Sequence, residues 1–206
     1  MQTKTIPISS SDALPVALKS LLKGELIAFP TDTVYGIGTL AFNATGAAKI
    51  YAAKERPPDK ALPILLADSE DFEKVAANIP EMARILAEAF LPGALTLILP
   101  KHPDIPEAIS SLETVGVRIP DHEFTRTLLR ATGPMAVTSA NISGKDSPIS
   151  AAEVYNQLNG RLPLILDGGI FKNGVPSTVA DCTEEEVKIL REGSISKSAI
   201  LKSLAR

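Results

Sequence analysis

The sequence predicts an α/β protein in which helices pack against a sheet, and two observations support this class. Short apolar runs alternate with longer amphipathic stretches through most of the 206 residues, which is the pattern of strands alternating with helices. Toward the end of the chain, predicted strands follow one another through short turns, so we also expect some antiparallel pairing. The composition, 45 % hydrophobic and 22 % charged, is that of an ordinary globular protein.

The strands are predicted from short apolar runs, and the helices from apolar residues at helical spacing. The predicted strands are Thr5–Ile8, Leu26–Pro30, Pro63–Ala67, Leu95–Leu99, Val115–Ile119, Met135–Thr138, Leu164–Asp167, Thr178–Asp181 and Val187–Leu190. The predicted helices are Ser11–Lys23, Thr45–Lys54, Asp68–Ala77, Pro80–Phe90, Glu123–Ala131, Ala151–Leu158 and Ser196–Ala205. Ser10 or Ser11 can cap the first helix and Gly24 ends it. The longest predicted loops, where function tends to concentrate, are Glu55–Leu62, Lys101–Thr114, Asn141–Ser150 and Gly168–Ser177.

Length, charge and cysteine content limit the classes of protein to consider. The length suits one domain, residues 1–206. The net charge of −3 argues against a protein that coats nucleic acid. It does not exclude a locally basic cleft, because net charge says nothing about where the charges lie. Cys182 is the only cysteine, so no internal disulfide can form, and we expect its thiol to be unreactive. No apolar stretch approaches the ~20 residues of a spanning helix, so we expect a cytoplasmic protein with no membrane contact.

The first candidate site is the segment FPTDTVYGIG, which starts at Phe29. Thr31 and Thr33 can hydrogen-bond a ligand, and Gly36 and Gly38 allow its close approach to the backbone. The alternative is an ordinary turn after a strand, stabilised by its own Asp and Thr side chains. The two glycines also match part of a dinucleotide-binding fingerprint. That motif should open a helix directly, and the residues that follow here indicate a break instead.

The second candidate site is the segment KERPPDKALP, in which Lys54, Arg56 and Lys60 bring three cations together. Its prolines limit backbone freedom, so less entropy is lost when the cations bind an anionic ligand. Arg offers a fork for phosphate or carboxylate, and Lys a point charge. The alternative is a basic helix end that complements the helix dipole. That alternative accounts for Lys54 but less well for the other two residues, which lie beyond the helix.

Two further strands are predicted to end in polar side chains. Arg118 stands near the end of an apolar strand, where it must face a cleft or form an ion pair, for example with a helix carboxylate. Ser139 and Asn141 follow another strand, and we interpret them as ligand-binding groups. A hydrolase is disfavoured because no G-x-S-x-G motif surrounds Ser139 and the only histidines are His102 and His122, in predicted loops. Near the end of the chain, Ser177 enters a strand and Arg191 leaves one.

Seven motifs occur in one order along the chain: FPTDTVYGIG, KERPPDKALP, PGALTLIL, TVGVRIPDH, TSANISGKDSP, STVAD and ILREGSIS. Together they closely resemble the YrdC-like family of threonylcarbamoyl-AMP synthases, from about Leu21 to Gly193. The resemblance implies a twisted, mixed sheet with flanking helices around a basic concave cleft, in the short, single-domain form. It also implies an activity: a nucleotidyltransferase that makes L-threonylcarbamoyladenylate from L-threonine, bicarbonate and ATP, releasing pyrophosphate, as the first step of tRNA N6-threonylcarbamoyladenosine modification.

The resemblance also implies roles for individual residues. The threonine and its carbamate would be held by Thr33, Arg118, Ser139 and Ser177. The nucleotide would be held by Arg56, Lys60, Thr114, Asn141 and Arg191. Lys54 and Arg118 would be the catalytic cations, with Lys54 polarising the reacting anions. Mg²⁺ would accompany ATP, and no protein side chain is assigned to it.

The chain departs from the family pattern at three positions. Many members carry a histidine on the strand that here contains Leu65, Asn where this chain has Lys60, and Thr where it has Ile149. Two rival functions are an RNA-binding module with a basic cleft and a carbamoyl-adenylate enzyme that uses carbamoyl phosphate. The implied partners are the three substrates, an RNA or tRNA contact, and downstream threonylcarbamoyl transferase proteins. The synthase interpretation expects five cations, Lys54, Arg56, Lys60, Arg118 and Arg191, to meet in one pocket. Cations scattered over the exterior, or paired off with acidic neighbours, would contradict it.

Overall fold

The computed structural model describes residues 2–171 and 174–205, so part of the predicted loop Gly168–Ser177 lies outside the described residues. Within these ranges the strands are β1 Lys4–Pro7, β2 Ile27–Phe29, β3 Gly36–Leu40, β4 Ile64–Leu65, β5 Leu95–Pro100, β6 Thr114–Arg118, β7 Met135–Ser139, β8 Leu164–Asp167, β9 Thr178–Asp181 and β10 Lys188–Arg191. The helices are α1 Ala13–Leu22, α2 Ala44–Lys54, α3 Glu81–Phe90, α4 Glu123–Thr132, α5 Ala151–Leu158 and α6 Lys197–Leu204. No helix within the described ranges is long and apolar enough to cross a membrane.

All the described strands join one sheet, in the order β1-β8-β2-β3-β7-β4-β6-β5-β9-β10. The pairs β1–β8, β2–β8, β4–β6 and β5–β9 are parallel, and the other neighbours are antiparallel. The predicted mixed α/β sheet is therefore confirmed. This order places the ends of strands from distant parts of the sequence next to one another, and these strand ends form the site described below.

Helices cover both faces of the sheet. On one face, Leu21 of α1 and Leu129 of α4 pack with the alternate strand residues Ile27 and Phe29. On the other face, helices α2, α3, α5 and α6 bury apolar residues against Ala28 and the rest of the main core. Successive residues of β2 thus point to opposite faces, as strand geometry requires, and both faces are buried. The arrangement is a three-layer α/β protein.

The prediction missed strand β3, which lies in the middle of the sheet. Its glycines were interpreted as turn residues that allow a ligand to approach the backbone. They lie within the strand and allow close packing against β7, and Gly36 also lines the cavity of the site described below. A Cβ added to Gly38 would lie 2.8 Å from both the Ala136 carbonyl oxygen and Val137 Cγ2. One added to Gly36 would lie 2.8 Å from Val137 Cγ1. Because these glycines lie within a strand, they do not open a helix, and the dinucleotide fingerprint fails its structural test.

Two predicted helix features are wrong. The segment predicted as the helix Asp68–Ala77 forms only a short 3₁₀ helix, Ser69–Lys74. Its start is not capped by Asp68, because that carboxylate accepts hydrogen bonds from Arg126 and Arg130 instead. Helix α1 begins after Asp12 without any side-chain cap, so neither Ser10 nor Ser11 caps it. The remaining predicted elements match the structure to within two or three residues at each end.

Candidate functional site

A cavity of about 150 Å³ lies where several strands of the sheet end. Thr31 and Thr33 follow β2, Arg118 ends β6, and Ser139 ends β7. The complete lining is Thr31, Thr33, Val34, Tyr35, Gly36, Pro63, Leu65, Thr96, Arg118, Val137, Thr138, Ser139, Ser147, Pro176, Ser177 and Arg191. Five of the residues predicted to bind substrate are therefore neighbours in space, although they are spread over more than 150 positions of the sequence.

Arg118 is the most strongly held cation of the cavity. It is 7 % exposed and donates from Nε to the Gly93 carbonyl at 2.9 Å, from Nη1 to Thr33 Oγ1 at 3.0 Å and from Nη2 to Asp32 Oδ1 at 2.6 Å. A buried guanidinium needs such partners, since burying it unpaired costs several kcal/mol. The predicted alternatives of an ion pair and a cleft position are both realised. The carboxylate, however, comes from the turn after β2 rather than from a helix.

The two threonine hydroxyls that follow β2, those of Thr31 and Thr33, have different partners. Thr31 Oγ1 donates to the Val34 carbonyl at 2.6 Å and accepts from the backbone N–H groups of Thr33 and Val34. Thr31 therefore stabilises the turn itself, as the turn interpretation expected. Thr33 Oγ1 lies 3.1 Å from Thr31 Oγ1 and accepts from Arg118. The turn thus aims the Thr33 hydroxyl and the Arg118 guanidinium at the same place.

A second guanidinium approaches from the other side of the cavity. Arg191 Nε and Nη2 donate to the Ser177 carbonyl at 3.1 and 2.8 Å, and the Ser177 hydroxyl lies 2.9 Å from Thr96 Oγ1. Burial, and then the positive charge of Arg118, lower the pKa of Arg191. No carboxylate in the described part of the chain pairs with Arg191. Two cations balanced by one carboxylate leave a positive field that favours an anionic ligand.

Lys54 does not line the cavity but contacts one of its walls. Its side chain is 1 % exposed, and its Nζ donates to the Ser139 carbonyl, to the Asn141 carbonyl at 2.6 Å and to Asn141 Oδ1 at 3.4 Å. Burial, and then the charge of Arg56, lower the pKa of Lys54 to about 7. The proposed polarising cation is therefore bonded to backbone oxygens within the protein.

The other predicted nucleotide-binding residues lie outside the cavity lining. Arg56 donates to the Lys60 carbonyl at 3.2 Å and to the Ala61 carbonyl at 2.9 Å, so it braces its own loop. Thr114 begins β6, at the opposite end of the strand from Arg118. The Asn141 amide donates to the Ile142 and Lys145 carbonyls. The prediction that all five cations meet in one pocket is therefore wrong. Arg118 and Arg191 line the cavity, Lys54 contacts its wall, and Arg56 and Lys60 lie in the loop that leads to the lining residue Pro63.

Sequence reasoning missed several residues of the site. Thr96 holds the Ser177 hydroxyl, but a single threonine in an apolar strand gives no signal of which way it points. Asp32 was inside a recognised motif, and its partner could only be found in three dimensions. Ser147 and Leu65 also line the cavity. Leu65 belongs to the strand on which many members of the resembling family carry a histidine, and it gives this part of the wall an apolar side chain.

The site has few possible metal ligands. Among residues 2–171 and 174–205, no group of three or more His, Cys, Asp or Glu side chains could hold a metal ion. Asp32, the carboxylate beside the cavity, is bonded to Arg118. The residues present therefore fit a Mg²⁺ ion only if substrate phosphates and water supply most of its ligands, which is the usual arrangement for Mg²⁺ bound with a nucleotide.

The fold and the cavity define a mixed α/β protein with a cationic, hydroxyl-rich pocket for a small anionic ligand. The family model for Sua5/YciO/YrdC, described as telomere recombination, matches residues 19–193. The chain belongs to this family, and the predicted resemblance is confirmed.

Similar proteins support the same assignment. A Bacillus subtilis protein named threonylcarbamoyl-AMP synthase is 44 % identical over 200 residues, which are 95 % of this chain and 58 % of that protein. A Pyrococcus abyssi protein of the same name is 44 % identical over 91 % of this chain and 56 % of its own length. The crystal structure of P. abyssi Sua5 complexed with L-threonine superposes with a TM-score of 0.94 at 41 % identity, over 98 % of this chain and 61 % of that one. This chain therefore spans somewhat more than half the length of these relatives.

Proposed function

We propose that this protein is a nucleotidyltransferase that makes L-threonylcarbamoyladenylate from L-threonine, bicarbonate and ATP, and releases pyrophosphate. One observation carries the proposal: a single cavity joins the guanidiniums of Arg118 and Arg191 to the hydroxyls of Thr33, Ser139 and Ser177. The relatives named threonylcarbamoyl-AMP synthase support it. In this proposal the product is the activated intermediate of tRNA N6-threonylcarbamoyladenosine modification, and downstream threonylcarbamoyl transferase proteins consume it.

The size and chemistry of the cavity favour an amino acid. Its 150 Å³ corresponds to roughly five water volumes, which is room for an amino acid such as threonine. The positive guanidiniums suit a carboxylate and a carbamate, and the hydroxyls suit an amine and a side-chain hydroxyl. The P. abyssi relative was crystallised with L-threonine. We therefore place threonine and its carbamate against Thr33, Arg118, Ser139 and Ser177.

ATP would then lie beside the cavity rather than inside it. Of the five residues assigned to the nucleotide, only Arg191 lines the cavity. The other four, Arg56, Lys60, Thr114 and Asn141, lie outside it, so in this proposal Arg191 contacts both substrates. Arg56 would exchange its bonds to loop carbonyls for bonds to phosphate, which a guanidinium binds more strongly. Mg²⁺ would enter with ATP, held by phosphate oxygens and water, and would offset the charge of the phosphates.

The chemistry needs charge neutralisation more than acid–base or nucleophilic groups. The threonine amine forms an N–C bond with bicarbonate, and water leaves, giving a carbamate. A carbamate oxygen forms a bond to the α-phosphorus of ATP, and the bond to the pyrophosphate oxygen breaks. The reacting groups repel one another because all are anions. Arg118, fixed by three hydrogen bonds, and Arg191 hold them together and in line, which lowers the barrier through positioning and electrostatics.

One incubation tests the proposal. The purified chain is given ATP, Mg²⁺, threonine and labelled bicarbonate, and pyrophosphate and labelled nucleotide are measured. We expect pyrophosphate release that requires threonine, with the label in an adenylate. Release that ignores threonine would contradict the proposal. Product from carbamoyl phosphate in place of threonine and bicarbonate would favour the carbamoyl-adenylate rival, and a salt-dependent RNA shift without ATP consumption would favour the binding module.

A further inference from the structure

The side-chain nitrogen of Lys54 is surrounded by acceptors that belong to one short segment. These are the carbonyls of Ser139 and Asn141 and the side-chain oxygen of Asn141. A protonated lysine has three N–H donors, and three oxygens are already in place. The 1 % exposure of Lys54 and its absence from the cavity lining leave a ligand no direct path to Nζ.

A backbone hydrogen bond also joins this segment to α2, and further bonds close the segment on itself. The Ser143 backbone N–H donates to the Lys54 carbonyl at 2.8 Å. The Asn141 amide donates to the Ile142 carbonyl at 2.8 Å and to the Lys145 carbonyl at 2.7 Å. Residues 139–145, which we call the 139–145 turn, are thus wrapped around the C-terminal end of α2. This turn presents Ser139 to the cavity and leads on to Ser147, which also lines it.

We infer that Lys54 is a positioning residue that holds the 139–145 turn, so that Ser139 faces the threonine, and that Lys54 does not contact the phosphates of ATP. The inference rests on the proposed function and revises the role that the family resemblance implies for this lysine. Among the described residues, no carboxylate pairs with Lys54. The alternative explanation is that its charge binds an anionic ligand. Such a ligand would have to displace two backbone carbonyls from Nζ, and those carbonyls would then lose their own donor inside the protein, which is costly.

Burial is consistent with this role. It lowers the pKa of Lys54 to about 7, so about half of the side chains are neutral amines at that pH. A neutral amine still donates two N–H groups to the carbonyls of Ser139 and Asn141. Holding the turn therefore requires donors more than charge, whereas binding phosphates would require the charge.

The test compares two replacements of Lys54. Lys54→Gln keeps two donors without a charge, and Lys54→Met keeps bulk without donors. We expect Lys54→Met to raise KM for threonine by about 10- to 100-fold, as loss of a buried hydrogen-bonded group does. Lys54→Gln should recover a large part of that loss, with KM for ATP nearly unchanged in both. Lys49→Met is the matched control, because Lys49 lies on the same helix and its Nζ contacts Glu25 and the Gly24 carbonyl, away from the 139–145 turn.

A double-mutant cycle with Ser139→Ala separates the two roles. If Lys54 acts through the turn, Ser139→Ala should weaken threonine binding much less in the Lys54→Met protein than in the wild type. Independent effects, together with a Lys54→Gln protein as inactive as Lys54→Met and a raised KM for ATP, would overturn the inference.

Two further readouts keep the test decisive. Circular dichroism melts show which variants fold, and the cycle is run on Lys54→Gln if Lys54→Met does not. Threonine binding is also measured by calorimetry on the same proteins. A wild type that binds threonine but makes no threonine-dependent pyrophosphate would sink the proposed function alone, and the binding cycle would still decide the role of Lys54.

Discussion

Replacing Asp32 by Asn should destabilise the protein more than the loss of an ordinary surface charge, because Asp32 is the counter-ion of a buried arginine. Its carboxylate lies 2.6 Å from Arg118 Nη2, with side-chain exposures of 15 % and 8 %. Removing one partner from a buried pair costs about 3–5 kcal/mol. The Asn carbonyl retains an ordinary hydrogen bond worth about 1 kcal/mol. We therefore expect the free energy of unfolding to fall by about 2–4 kcal/mol.

The matched control is Asp71→Asn, which breaks the exposed pair with Lys74. In that pair the lysine is 58 % exposed, so we expect a loss below about 1 kcal/mol. Urea denaturation of both variants, with unchanged m values, gives the comparison. At this chain length the Asp32 variant should also melt roughly 4–16 °C lower. Equal losses in the two variants would refute the conclusion that the Asp32–Arg118 pair is buried and structurally coupled.

Three other predictions follow from the site and the fold. Arg118→Ala should lower product formation by about 10²–10³-fold, as loss of a transition-state donor does. The assay measures labelled adenylate, and a variant that keeps most of the activity would show that Arg118 has no role in the mechanism. Gly38→Ala should cost about 1–3 kcal/mol in urea denaturation, because its Cβ would meet backbone of the neighbouring strand at 2.8 Å. Gly116→Ala, with nearest contacts of 3.3 Å, is the milder control, and an equal cost would contradict the packing argument. Hydrogen bonds from Arg130, and then from Arg126, lower the pKa of Asp68 to about 2. Its contribution to stability is therefore complete above about pH 5 and lost progressively as pH falls through about 2, so Asp68→Asn should flatten the acid part of a stability–pH curve.

Much of the fold follows from local patterns, and the errors arise where long-range packing decides the structure. Nine of the strands were predicted because each is a short apolar run. Strand β3 was missed because glycines normally indicate turns, whereas Gly36 and Gly38 are required by the close approach of β7. The segment Asp68–Ala77 was predicted as an α-helix from its local pattern. That pattern cannot show that the Asp68 carboxylate bonds two arginines of α4 and does not cap a helix.

The site could be predicted as a set of motifs but not as a set of contacts. Thr33, Arg118, Ser139, Ser177 and Arg191 were all found from the sequence, and the structure brings them together. The arginine's true partner, the support that Thr96 gives to Ser177, and the internal bonds of Lys54 depend on strand order. Neighbouring strands such as β3 and β7 are about a hundred residues apart in the chain, and no local pattern specifies such a pairing.

The order of strands in the sheet also affects when the protein becomes competent during its own synthesis. The turn after β2 leaves the ribosome early, yet its neighbours in the cavity include Ser177, just before β9, and Arg191, at the end of β10, which are made about 150 residues later. At the usual rate of translation, on the order of 10 s separates these parts of the wall. A chain that ends before Arg191 therefore carries the hydroxyls of the first turn without the opposite wall of the cavity. Ligand cannot stabilise the nascent protein through this cavity until Arg191 has been made.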